Sequence, residues 1–185
     1  MGGGFSAEYF LRHFDNFNSF IIYPWKAYPL VGTSDADPYS CARTIQNGTL
    51  ALGRAEGLVF EADTDSQGQP LMSSCSYKLY GTVPEARFFT LYAADSQTNV
   101  PLSSNRQLPD ALKSFDLLYD DPNNSFTILV SPYAQPGNWL SISQKAKKIK
   151  LILSLYNTSI VTSAALQKYK MPRIERLPKQ RGYCE

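Results

Sequence analysis

Histidine is all but missing from this chain: His13 is the single one in 185 residues. That excludes a zinc site built on several histidines and leaves a Ser-His-Asp triad only one N-terminal imidazole, which no flanking motif supports. Cysteine is scarce too. Cys41, Cys75 and Cys184 are too few and too dispersed to close a metal site, so neither metal nor cofactor is expected. Long apolar runs are also absent. No stretch reaches the roughly 18 residues that a membrane helix needs, and FSAEYFLRHFDNFNSFII is broken by Glu8, Arg12, His13 and Asp15. There is no internal repeat, low-complexity tract or linker, and this length suits a single domain.

What is present is a globular composition, 43% hydrophobic and 18% charged, in which aromatics reach 13% through Tyr and Phe. That balance favours β-rich structure over a helical bundle. Charge is unevenly spread: residues 1–144 carry a net −6 and residues 145–185 a net +8. The basic residues are interleaved with apolar ones of core type, so they are read as docking on the acidic body of the same domain. A nucleic-acid partner is not expected.

Along the chain, residues 5–18 suggest a short helix with Phe10, Phe14 and Phe17 on one face. SFIIYPWKAYP reads as extended, since Pro24 and Pro29 discourage a helix. Asp37 and Pro38 open a second helix that Gly48 closes. GLVFEADTD, SYKLYG, ARFFTLYAAD, SFTILVSP and KIKLILSLY are strands, with Lys148 and Lys150 early in the last, and PRIERLP is a final edge strand. Residues 95–124 are mostly polar loop. The expected fold is mainly β: an antiparallel β-sandwich, jelly-roll-like, with one or two short α-helices. The chain divides into an N-terminal segment, residues 1–22, and one sandwich domain, residues 23–185.

Few constellations carry chemistry. DTDSQG resembles the start of a calcium loop, but Gln67 and Ser74 stand where that loop needs other ligands, so a hairpin turn is expected. Glu56 with Asp63 or Asp65 offers paired carboxylates for acid-base work, against the plain reading of solvated strand residues. Asn47, Asn123 and Asn157 open Asn-x-Ser/Thr triplets, which are also good turn formers. Cys184, next to the chain end, is well placed to pair with Cys75 at the head of SYKLYG, tying down the tail. Three reduced cysteines are the alternative, and Cys41 reads as a buried free thiol.

The stretch SPYAQPGNWL raises the sharpest question. In one reading Trp139 covers an end of the sandwich, its indole N–H seeking a carbonyl, while Asn138 holds the turn. In the other, Trp139 and Asn138 join Asn105 and Arg106 from the polar loop in a ligand site. An aromatic platform with amide and guanidinium groups suits sugars or anionic glycans.

Five stretches in order carry a family resemblance: YPWKAYPLVG, DADPYSCAR, LALGRAEGLVFEADTDSQGQPL, CSYKLYGTVPEARFFTLYAAD, and NNSFTILVSPYAQPGNWLSISQ leading to LILSLYNT. Together with Cys184 they make the chain similar to the domain of unknown function 1214 family, in its small, single-domain bacterial form. The resemblance implies a β-sandwich projected into the periplasm from an inner-membrane signal anchor, of which GGGFSAEYF looks like the tail, the spanning helix being absent from this chain. It implies no activity. Ser141 and Ser154 depart from the Pro and Arg common in the family at those places. The function expected is an envelope binding or structural module, with a small ligand or an envelope protein as partner. An enzyme acting on an envelope glycan or small amphiphile through carboxylates such as Glu56 or Asp63 is the alternative.

Overall fold

The alternating runs are strands in the computed structural model, which describes residues 20–27, 57–102, 110–158, 169–178 and 184. Among these residues ten strands follow in chain order: β1 Phe20–Ile22, β2 Trp25–Ala27, β3 Gly57–Ala62, β4 Tyr77–Gly81, β5 Ala86–Asp95, β6 Leu112–Lys113, β7 Phe126–Ser131, β8 Asn138–Ser141, β9 Ile149–Thr158 and β10 Arg173–Arg176. They form a six-stranded sheet in the order β1-β2-β3-β9-β5-β6 and a four-stranded sheet in the order β10-β4-β7-β8. The fold is thus mainly β, a two-sheet sandwich. The expected helices at 5–18 and 38–48 lie outside the described residues. Among those described, one 3-10 turn, Ser114–Asp116, comes after β6.

Period-two burial explains how the sheets face each other. In β5, Phe89, Leu91 and Ala93 are buried, as are Leu151, Leu153 and Leu155 in β9. Tyr77 and Leu79 of β4, with Phe126, Ile128 and Val130 of β7, supply the opposing layer. Phe89 meets Phe126 across the gap with ring centroids 5.4 Å apart. Each such Leu, Ile, Val or Phe side chain contributes about 1.5–3 kcal/mol by leaving water. Trp25 seals one flank, fully buried, its indole N–H donating to the Pro172 carbonyl at 2.7 Å. Among the described residues the six-stranded sheet begins at Phe20.

Two features differ from the expected pattern. The pair β7–β8 is parallel, Leu129 against Trp139, whereas the other strand pairs of both sheets are antiparallel. Residues 132–137 carry the chain back along β7 before NWLS runs beside it, so SPYAQPGNWL contains a strand rather than only a corner. The second is Lys150. A lysine early in a strand is ordinarily solvated, yet this one is buried against Glu61 of β3, Nζ to carboxylate 2.9 Å. PRIER does form the outer strand of the smaller sheet, paired with β4.

The turn after β3 is structural. Asp65 is buried, and one of its carboxylate oxygens accepts the amides of Gln67 and Gln69, both at 2.9 Å. Gly68, at φ +86°, supplies the left-handed residue that the turn requires. Cys75 and Cys184 lie at disulfide-bonding distance, Cα atoms 4.4 Å apart.

Candidate functional site

The sandwich has two ends. At one, β4 hands over to β5 and the chain enters β7; at the other lie the turn after β3, the turn after β5 and the lead into β9. At the first end a groove of about 490 Å³ opens between the sheets.

Its floor is set by β5. Phe89 points into the core against Phe126, and Phe88 turns the other way to stack on Tyr156, with centroids 4.4 Å apart. Arg87 precedes them and lines the groove with an exposed guanidinium. One wall is the turn Thr82–Glu85, in which buried Pro84 limits the backbone and the Glu85 carbonyl accepts the Thr158 hydroxyl at 2.8 Å. The other wall is the 3-10 turn with the segment that runs from it to Tyr119. The Ser114 hydroxyl accepts the Phe89 amide at 3.2 Å, and the Tyr119 hydroxyl donates to the Ser114 carbonyl at 2.8 Å.

Asn123 and Asn124 complete that wall on a turn that Asp121 organises. Its carboxylate accepts the Asn123 amide at 2.8 Å and the Ser125 amide at 3.2 Å. Asn124 sits at φ +58°, which asparagine tolerates better than most residues. Bonding from the Ser125 hydroxyl, then from the Ser125 and Asn123 amides, holds the Asp121 carboxyl below its ordinary range. Burial of the Tyr119 ring pushes its hydroxyl above the ordinary tyrosine range. Among the described residues, the side chains of Arg87, Asn123 and Asn124 have no hydrogen-bond or ion-pair partner. The groove therefore joins an apolar floor to uncommitted amide and guanidinium donors, with the Glu85 carboxylate on the rim.

The residues singled out from sequence are dispersed. Asn138 stands behind the groove wall. Its Oδ1 accepts the Leu118 amide at 2.8 Å, and its Nδ2 donates to the Leu118 and Thr127 carbonyls at 2.7 and 2.9 Å. Trp139 is half-buried on the outward face of the smaller sheet, level with Leu129, and its indole N–H donates to the Ser131 carbonyl at 3.0 Å. Asn105 and Arg106 lie outside the described residues, as does Glu56. Asp63 is exposed at the opposite end of the sandwich, accepting the Ser96 hydroxyl at 2.9 Å. Among the described residues, no group of three His, Cys, Asp or Glu side chains is placed to hold a metal ion. The sequence reading missed Arg87 and Tyr119, which stand in no motif; only their convergence in space marks them. Asn123 was visible as the start of a triplet and as a turn residue.

Residues 56–160 match the sequence model of the family described as Protein of unknown function (DUF1214). The chain belongs to that family. The DUF1214 match runs through β3, β5, β7 and β9, so it contains the whole groove. One solved structure agrees on the fold. The VPA0106 protein from Vibrio parahaemolyticus is similar over 95% of this chain and 43% of its own, with a TM-score of 0.64 and 18% identity. An uncharacterized protein from Burkholderia cenocepacia is similar over 69% of this chain and 31% of its own, with a TM-score of 0.42 and 15% identity. The chain thus spans under half the length of either. No curated protein matches it.

Proposed function

We propose that this DUF1214 chain is a ligand-binding domain of the cell envelope whose groove holds a polyhydroxylated, sugar-like molecule. The observation that carries the reading is the set of uncommitted donors, Arg87, Asn123 and Asn124, over the aromatic floor of a groove of about 490 Å³. Ligand pockets of this size combine an apolar lining with a few polar groups that set orientation. Amide and guanidinium groups suit vicinal hydroxyls or a sugar carboxylate, while the Tyr119 ring lines the same groove. An oxidising compartment such as the periplasm, reached through an N-terminal anchor, belongs to the same proposal, and the placement of Cys75 beside Cys184 supports it.

The test is a thermal-shift and calorimetric screen of the oxidised protein against neutral sugars and uronic acids. A ligand at a hundred times its Kd stabilises the fold by about 2.7 kcal/mol. That gain should vanish in Arg87→Gln and Asn123→Ala and survive in Trp139→Ala. Loss in Trp139→Ala alone would move the site to the outward face of the smaller sheet. A blank screen across all sugar classes would end the sugar reading.

A further inference from the structure

The large apolar side chains left exposed among the described residues are Ile21, Tyr23, Val100, Phe115, Leu118, Tyr119 and Tyr133. Soluble surfaces seldom gather such residues without a partner. Here all but Ile21, on the outer strand β1, gather at the two ends of the sandwich, which the ten-residue strands β5 and β9 hold about 30 Å apart.

The first cluster is the lip beside the groove. Phe115 and Leu118 are each 69% exposed, and Leu118 is held outward by the Asn138 amide rather than by packing. Exposed Asp116 lies between them in sequence and exposed Asp120 and Asp121 follow, these two bonded to the Thr127 hydroxyl and to the Asn123 and Ser125 amides; the cations at this end are Arg87 and Lys113, whose ammonium is 5.6 Å from the Phe115 ring centre.

The second cluster is its opposite in sign. Val100, 57% exposed, lies at this end with exposed Tyr133 and Tyr23, and Lys145, Lys147 and Lys148 stand exposed on the loop into β9. That loop is firmly held: the Ser73 amide donates to the Lys147 carbonyl at 3.2 Å, the Ser96 amide to the Lys148 carbonyl at 3.1 Å, and the Ser73 hydroxyl to the Ala146 carbonyl. It is continuous with the exposed apolar residues, since Gln144 donates to the Tyr133 hydroxyl at 3.3 Å and Ser143 to the Leu102 carbonyl at 3.2 Å. The carboxylates at this end, like Asp120 and Asp121 at the other, accept hydrogen bonds within the fold. Asp63 accepts the Ser96 hydroxyl, Asp95 accepts the Gln97 and Thr98 amides, and Asp65 faces Arg176. Among the described residues none lies within ion-pair reach of the three lysines.

We infer that copies of this chain associate head to tail, the acidic apolar lip of one seated on the lysine end of the next. The two surfaces match in charge and in apolar content, and each is built on a fixed backbone, so little ordering cost opposes the contact. They sit at opposite poles, so the contact is heterologous: it does not close as a dimer but continues as an open row. Exposed ion pairs add little each, so the association is weak and salt-sensitive.

Sedimentation velocity of the oxidised full chain tests this. The average sedimentation coefficient should rise steadily with concentration and fall when salt is added. Leu118→Ser, or Lys147→Glu with Lys148→Glu, should raise the concentration needed for association by about tenfold or more, which corresponds to about 1.4 kcal/mol. Asp116→Lys should do the same. Mixing the Asp116→Lys protein with the Lys147→Glu, Lys148→Glu protein should restore association between the two. None of these residues is buried, and unchanged melting temperatures would show that the variants fold. A chain that stays monomeric throughout, a closed dimer indifferent to both sets of substitutions, or a mixture that does not recover would overturn the inference.

Discussion

Asn138 offers the sharpest test of how the groove wall is held. Three hydrogen bonds run from one side chain to main chain: from the Leu118 amide at 2.8 Å, and to the Leu118 and Thr127 carbonyls at 2.7 and 2.9 Å. A net hydrogen bond contributes about 1 kcal/mol, and two of these three are at exposed positions, so Asn138→Ala should cost about 2 kcal/mol. Asn138→Asp preserves the shape but turns the donating nitrogen into an oxygen that faces two carbonyls. It should therefore be worse than Ala at neutral pH, although it is nearly isosteric. Acidification, which lets a protonated carboxyl donate one bond, should narrow that difference. Urea denaturation of the three oxidised proteins measures this directly, the midpoint moving while the m-value stays constant. If Asn138→Ala falls within about 0.3 kcal/mol of the parent, or Asp is tolerated better than Ala, the amide is not what secures the wall.

Further outcomes rest on the same structure. Cys75 and Cys184 are 109 residues apart in sequence, so in the chain-entropy account reducing their bond should lower stability by about 4–5 kcal/mol. Chemical denaturation with and without reductant checks it, and an unchanged midpoint would show that the two thiols are not joined. The buried Lys150–Glu61 pair should behave asymmetrically. Glu61→Gln, which strands a buried ammonium, should cost about 3 kcal/mol, while Lys150→Met with Glu61→Leu should come out nearly neutral. A double substitution as damaging as the sum of the single ones would show that the two side chains are not coupled, against the asymmetry expected here. Tyr77 is fully buried, and loss of solvent holds its hydroxyl above the ordinary tyrosine range. Its raised folded-state pKa means that stability is intact below the ordinary tyrosine pKa and declines as pH rises past it. Tyr77→Phe should flatten that alkaline decline; an unaltered pH profile would refute the assignment.

Much of the fold was legible because strand chemistry is local. Alternation in GLVFEA, ARFFTLYAAD and FTILVS announces which side of each strand faces the core, and Asp65 with Gly68 announces the turn between them. Pro172 before RIER signalled an outer strand, and the composition alone placed the chain among β-rich domains. Charge asymmetry and the position of Cys184 were equally visible, since each depends on order along the chain and on nothing else. What no local pattern contains is which segments meet. The parallel seating of NWLS against β7 required the backward run of residues 132–137. The burial of Lys150 required Glu61 as cross-strand neighbour, and Asn138 took up its bonds only because Leu118 was brought beside it. The groove is the clearest case. Arg87, Tyr119 and Asn123 are separated in sequence and unremarkable in composition, and they converge only because two sheets part at one end. Strand formation is decided by side-chain period and burial, which a sequence displays; a site is decided by the packing of sheets, which depends on pairings between distant residues.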